Sequence, residues 1–286
     1  MINKKKAIFY AILAAALYAI NAPVSKLLLI EIPSTMMAGL LYLGAGIGML
    51  ILETFNKSTK ELPLTKNELP YTIAMVVLDI AAPIFLMIGL IRCSAANASL
   101  LNNFEIVATS LIALFIFKEA ISKRLWLAIT LVTISSILLS FEDMSSLQFS
   151  WGSIFVLLAC VCWGLENNCT RALSSKNPAQ IVIIKGFGSG LGALALSFII
   201  GERFYNVGFI LLALLLGFIA YGLSIYFYIY AQRDLGAAKT STYYAVSPFI
   251  GAGLSLIIFR EIPSAIFIFA LIIMAAGTYF ATVSES

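Results

Sequence analysis

The sequence predicts an all-α integral membrane protein of ten transmembrane helices, arranged as two inverted five-helix repeats. Three observations lead there. Hydrophobic residues make up 61% of the chain and charged residues only 11%, against about 25% charged in a soluble globular domain. The apolar residues fall into ten runs, at 6–25, 34–53, 70–91, 95–117, 124–141, 150–173, 179–200, 207–231, 237–259 and 263–282. The first half of the chain also returns in the second at a nearly constant offset.

Each run is close to the roughly 20 residues that a helix needs to cross a hydrocarbon core of about 30 Å. Lipid offers a peptide group no partner, so a spanning segment must bond its backbone internally, as a helix does. The start, "MINKKKAIFYAILAAALYAI", has the basic and small-residue pattern of a signal peptide, but the repeat needs this segment as its first helix. The connections are short, and the one long polar link is "TFNKSTKELPLTKNE" at 54–68.

The repeat rests on three blocks. "YAILAAALYAINAPVSK" (10–26) aligns with "FVLLACVCWGLENNCTR" (155–171) at an offset of 145, pairing Tyr18 with Trp163, Asn21 with Glu166, Ser25 with Thr170 and Lys26 with Arg171. "GAGIG" (44–48) aligns with "GSGLG" (188–192) at 144, and "IFKE" (116–119) with "IFRE" (258–261) at 142. The predicted units are 1–145 and 146–286. Five crossings are an odd number, so the second unit enters from the opposite side, as in carriers built around a midplane site. Gly44 and Gly48, like Gly188 and Gly192, share a helix face and read as close packing or as a sliding gate.

Basic residues set the expected orientation. With the N-terminus inside, Lys26, Arg92, Arg203 and Arg260 fall outside. The other fourteen fall inside: Lys4, Lys5, Lys6, Lys57, Lys60, Lys66, Lys118, Lys123, Arg124, Arg171, Lys176, Lys185, Arg233 and Lys239. That bias predicts cytoplasmic termini.

Carboxylates within apolar runs are the candidate functional residues. Asp79, Glu105 and Glu166 each lie well inside a span, where an unpaired charge costs roughly 2.5–3.5 kcal/mol on insertion scales. Helical spacing places Trp163, Glu166, Asn167 and Thr170 on one face, and Tyr18, Asn21 and Ser25 on the matching face of the first span. Asn102 lies three before Glu105, Tyr244 three before Ser247, and Tyr221 heads a polar and aromatic stripe. Pro83, four after Asp79, is a place where the third span can bend. The blander readings are lipid-facing or core packing for Tyr18, Trp163 and Tyr221, helix-bridging hydrogen bonds for Asn102 and Asn103, and a stem snorkelling to the inner surface for Lys185. Glu119 and Glu261 sit beside cations at helix ends and read as solvated.

Several chemistries are excluded or unsupported. The chain has no His, which removes His-ligated zinc and Ser–His dyads. It has no Walker A motif, and "GFGSGLG" does not satisfy G-x-G-x-x-G. Cys93, Cys160, Cys162 and Cys169 lack metal spacing. We therefore expect no cofactor, no bound metal and no enzymatic activity. The net charge of +4 is scattered along the chain, so nucleic acid is not expected as a partner. An intramembrane enzyme using the three acids, or a receptor, are the remaining classes.

"WGLENN" with "CTR" in the sixth span, "LGAAKTSTYYAVSPFIGAGLSLIIFRE" (235–261) and "SAANASLLNNFEIVATSLIALFIFKE" (94–119) resemble the drug/metabolite transporter (DMT) superfamily, and within it the EamA-type ten-helix carriers. The resemblance covers nearly the whole chain. It implies a central cavity lined by spans 1, 3, 4, 6, 8 and 9, which here would involve Asn21, Asp79, Asn102, Glu105, Trp163, Glu166, Asn167, Tyr221 and Tyr244. Related sequences are expected to carry a small residue where Asp79 stands, so this cavity would be unusually acidic.

Together with Tyr18, whose face can support a cationic head, these form the candidate substrate site. The implied function is secondary transport of small polar metabolites, amino acids or related amines, as an exporter working by alternating access. Uptake of a cationic or quaternary-amine compound is the second reading. The expected partners are a small-molecule substrate, protons and the lipid bilayer, for a monomer or homodimer in the plasma membrane, of the bacterial inner-membrane type.

Overall fold

A computed structural model of the chain describes residues 4–55, 62–118, 121–143, 148–173, 176–235, 240 and 243–282. Of the residues named above, Lys57, Lys60, Glu119 and Lys239 lie outside these. The first span is α1 (Lys4–Ala19) with α2 (Asn21–Leu28), the second α3 (Ser34–Phe55), the third α4 (Leu69–Arg92), the fourth α5 (Ala95–Leu101) with α6 (Phe104–Phe117), and the fifth α7 (Lys123–Leu139). Two short strands, β1 (Phe141–Asp143) and β2 (Gln148–Phe149), pair antiparallel between the halves. The sixth span is α8 (Trp151–Leu173) and the seventh α9 (Pro178–Ile199). The eighth joins α10 (Val207–Gly217) to α11 (Ser224–Leu235). The ninth contains α12 (Ser247–Phe259) and the tenth is α13 (Ala265–Thr282). Eight of these stretches are long and apolar enough to cross a bilayer, and α12 is a shorter apolar helix.

Local chemistry starts the helices where the sequence supplies caps. The side chains of Ser94, Ser122, Asn177 and Asn206 accept backbone N–H groups at the beginnings of spans 4, 5, 7 and 8, satisfying donors that a helix start leaves orphaned. Spans 4 and 9 end alike. Lys118 and Arg260 both take the left-handed conformation, at φ 55° and 53°. They occupy the same place in "IFKE" and "IFRE".

Among the described residues, four spans are interrupted near their middles. Pro23 has no N–H to return to the Ala19 carbonyl, and the first span breaks between α1 and α2. The fourth breaks at Asn102 and Asn103, where Asn103 N bonds to Leu100 O (3.1 Å) instead of reaching one residue further back. The ninth has a turn at Ala245 and Val246, just before Pro248. The eighth passes through a π-helical turn at Phe218–Leu223. Pro83, by contrast, sits inside the uninterrupted α4.

Packing follows the repeat. Span 3 packs on 6, 1 on 8, 2 on 7, 4 on 9 and 5 on 10, and span 2 also packs on 8 and span 4 on 6. Exchanging each span for its counterpart in the other half leaves the first five pairs unchanged and turns the last two into spans 3 with 7 and 1 with 9, which also touch. Ser135 Oγ donates to Ala270 O at 2.7 Å, tying span 5 to span 10. At one end of the bundle Lys26 donates to Leu90 O and, at 2.8 Å, to Cys93 O, meeting the last carbonyls of α4. Glu202 at the same end accepts from the backbone N–H groups of Thr35 and Met36. At the other end Lys176 pairs with Glu68 at 3.1 Å.

The glycine faces divide the packing differently from the sequence expectation. The closest approach of spans 2 and 7 is at Gly46 and Gly186, where a Cβ on Gly186 would lie 2.3 Å from the Gly46 backbone. The repeat-matched Gly44 and Gly48 instead face Leu214 and Phe218 of span 8, and Gly188 and Gly192 face Val76 and Ile80 of span 3. Spans 8 and 3 are themselves counterparts.

Candidate functional site

The acid-bearing spans converge. Asp79 in span 3 is fully buried and Glu166 in span 6 is 3% exposed. Between them stands Lys185 of span 7, whose Nζ lies 3.2 Å from Asp79 Oδ2 and 2.8 Å from Glu166 Oε1. Tyr42 of span 2 donates its hydroxyl to Asp79 Oδ1 at 2.8 Å, and Thr170, one turn beyond Glu166, donates to Glu166 Oε1. Glu105 of span 4, half-buried, accepts from Asn167 Nδ2 at 2.5 Å. Asn167 also reaches Thr109 Oγ1 at 3.4 Å. Two carboxyl groups thus share one ammonium, so the cluster holds one more acid than base, a balance that a proton or a cationic group can complete.

A second cluster, aromatic and amide, comes from spans 1, 8 and 9. Asn21 Nδ2 donates to the Tyr221 hydroxyl at 2.9 Å, and Ser25 donates to Asn21 Oδ1 at 3.0 Å. The Tyr18 ring meets Tyr221 and Tyr244 at centroid distances of 5.8 and 6.1 Å. Tyr244 approaches Ser224 at 3.4 Å and meets the Tyr228 ring at 5.0 Å. Tyr221 lies in the π-helical turn. The Tyr42 and Tyr221 rings, 5.0 Å apart, join the two clusters. Trp163 is buried in the same core. Asn102, at the break in span 4, lines a small cavity with Tyr18 and Asn21.

All ten candidate residues therefore lie in or beside these two contiguous clusters. They are packed, however, rather than spread around a wide chamber. The cavity among spans 1, 4 and 9 has a volume of about 10 Å3, the room one water needs. Lys185 does not snorkel to a surface: it is 5% exposed and holds both acids. Among the described residues no group of three or more Cys, Asp or Glu is placed to hold a metal ion, and the cysteines are unbridged.

The profile of the EamA-like transporter family matches residues 5–141 and 150–283. The chain belongs to that family. The family unit thus occurs twice in this EamA protein, once in each set of five apolar segments. Two curated relatives carry matching descriptions. An uncharacterized transporter of Methanothermobacter thermautotrophicus is 26% identical over 270 residues, covering 87% of this chain and 78% of the relative. The uncharacterized transporter YyaM of Bacillus subtilis is 22% identical over 227 residues, covering 76% and 74%. A crystal structure of a protein superposes on this chain with a TM-score of 0.70 at 16% identity, covering 98% of each, a likeness of fold alone. The EamA protein is accordingly a multi-pass membrane protein of a transporter family, which implies a small-molecule substrate.

Sequence reasoning missed Lys185 and Tyr42 as site residues. The signal for Lys185 was its place, seven residues inside α9 after Pro178, too deep for an easy exit to the surface. Tyr42 carried a weaker signal: a hydroxyl amid "GLLYLGAG", one helical turn before Gly46.

Proposed function

We propose that this EamA protein is a secondary carrier of small polar, amine-containing metabolites, including amino acids, exporting them by alternating access. The observation that supports this reading is the buried Asp79–Lys185–Glu166 group with Glu105 beside it. A site with more carboxylates than ammonium groups favours a cationic ligand group or a proton, and disfavours a purely neutral or anionic solute. The two five-helix units, 1–145 and 146–286, would move against one another about this centre, with Tyr18, Asn21, Asn102, Trp163, Asn167, Tyr221 and Tyr244 contacting the substrate body. The setting is the plasma membrane, of bacterial inner-membrane type, with both termini cytoplasmic.

The test is counterflow of labelled amino acids and amines in proteoliposomes, comparing wild type with Glu166→Gln. Removing the charge at Glu166 is expected to cut flux about tenfold or more, the effect of roughly 1.4 kcal/mol on a transport barrier. Unchanged flux and unchanged pH dependence would remove Glu166 from the mechanism. A second reading, uptake of a quaternary amine, draws support from the Tyr18, Tyr221 and Tyr244 rings, whose faces suit an alkylated cation. Opposite flux in right-side-out and inverted vesicles separates uptake from export.

A further inference from the structure

The cavity at the interrupted helices carries an inference independent of the acid cluster. It is lined by Tyr18, Ala19, Asn21 and Ala22 of span 1, Ser99 and Asn102 of span 4, and Ser247, Pro248 and Gly251 of span 9. Among the described residues, three polar atoms carried by the side chains of this lining have no hydrogen-bond partner: Ser99 Oγ, Asn102 Oδ1 and Ser247 Oγ. Their residues are only 3%, 8% and 1% exposed. A single buried unsatisfied polar atom already costs about 1–3 kcal/mol, so three around one void call for an occupant.

A fourth oxygen belongs to the set. Pro23 leaves the Ala19 carbonyl without its helical donor. Both Ala19 O and Ser99 Oγ lie 3.0 Å from the position that a Cβ on Gly251 would take, so the glycine keeps that space open. The groups are two hydroxyls, one amide oxygen and one backbone carbonyl, and the cavity is the size of one water. The side-chain amide of the nearby Asn21 gives one of its two N–H groups to Tyr221. Hard cations take oxygen ligands, and divalent ones are held through carboxylates. Half-helix ends and unwound carbonyls in membrane carriers coordinate monovalent cations.

The geometry points to a monovalent cation site, for sodium, at the junction of the interrupted spans 1, 4 and 9, coordinated by Ser99 Oγ, Asn102 Oδ1, Ser247 Oγ and the Ala19 carbonyl. Its place, at the breaks in counterpart spans 4 and 9, makes occupancy sensitive to how the two halves sit together, which is what a coupling ion requires.

The experiment is thermal unfolding of the full-length protein in detergent, in sodium chloride and in potassium chloride at equal ionic strength, for wild type, Ser99→Ala and Ser247→Ala, potassium being the larger ion for a cavity of one water's size. Sodium is expected to raise the wild-type midpoint by on the order of 2–4 °C and to leave both variants unshifted. Both alanines remove a hydroxyl that has no partner in the empty site, so the variants fold, with midpoints in potassium chloride equal to or above wild type. Equal wild-type midpoints in the two salts would overturn the site and leave an ordered water as its occupant. A sodium shift that survives in both variants would also overturn it, by moving the ion elsewhere. The readout is stability, so the result stands apart from the substrate and direction of transport.

Discussion

Lys185 is the side chain on which the buried charge balance turns. Asp79 has two polar partners, the Tyr42 hydroxyl and the Lys185 ammonium, and Glu166 shares the same ammonium. Replacing both members of such a group by apolar residues is often tolerated, whereas removing one leaves an uncompensated charge and costs about 3–5 kcal/mol. Lys185→Met is therefore expected to lower the unfolding midpoint of the detergent-solubilised protein sharply. Adding Asp79→Asn and Glu166→Gln to it should recover most of the loss. If Lys185→Met alone is neutral, the ammonium does not hold the acids together. The companion outcome concerns transport: the triple substitution should restore stability without restoring flux, because the charge that would attract a cationic group is gone.

At the scale of elements, glycines decide how closely helices meet, and their roles are unequal. Gly186 abuts the backbone of Gly46 across spans 2 and 7, where a Cβ has no space at 2.3 Å. Gly186→Ala forces the two helices apart, and a destabilisation of about 1–3 kcal/mol is expected, read as a loss of midpoint. Gly253 is the control, because a Cβ there meets nothing within 4 Å. Gly253→Ala should be neutral or slightly stabilising, since alanine favours a helix interior over glycine by roughly 1 kcal/mol. Equal effects at both positions would mean that close packing of spans 2 and 7 is not what Gly186 supplies. The interrupted spans use other residues. Proline removes a backbone bond in span 1 and at Pro248 in span 9, while the Asn102–Asn103 pair tightens span 4 without any proline.

For the whole molecule, the pairing of spans 3 with 6 and 1 with 8, beside the self-matched pairs 2–7, 4–9 and 5–10, gives the bundle the internal symmetry that an odd-numbered repeat requires. Ten crossings place both termini on one side of the membrane. Reporter fusions active only in the cytoplasm should be active at either end of the chain, and a reporter inserted between spans 7 and 8, near Arg203, should be silent. Activity at one terminus only would mean an odd number of crossings and would break the symmetry of the two units.

The sequence by itself determined the class of this protein. An apolar fraction of 61% cut into helix-length runs leaves no solution but a helical bundle in lipid, and the matched blocks at 10–26 and 155–171 made the second half a copy of the first. It also pointed to Asp79, Glu105 and Glu166, because a carboxylate in hydrocarbon is costly enough to be conspicuous on a single helix. What only the tertiary structure decided is who compensates those charges and where the backbone gives way. The depth of Lys185 in its span is legible in the sequence, but its partners are not, because they stand 106 and 19 residues away along the chain. The oxygens of Ser99, Asn102, Ser247 and Ala19 are ordinary polar atoms on three separate spans. They acquire meaning when the interruptions of those spans meet around one void. Periodicity reports which face of a helix is polar, but a partner across the bundle is set by packing between distant segments, and no local pattern encodes it.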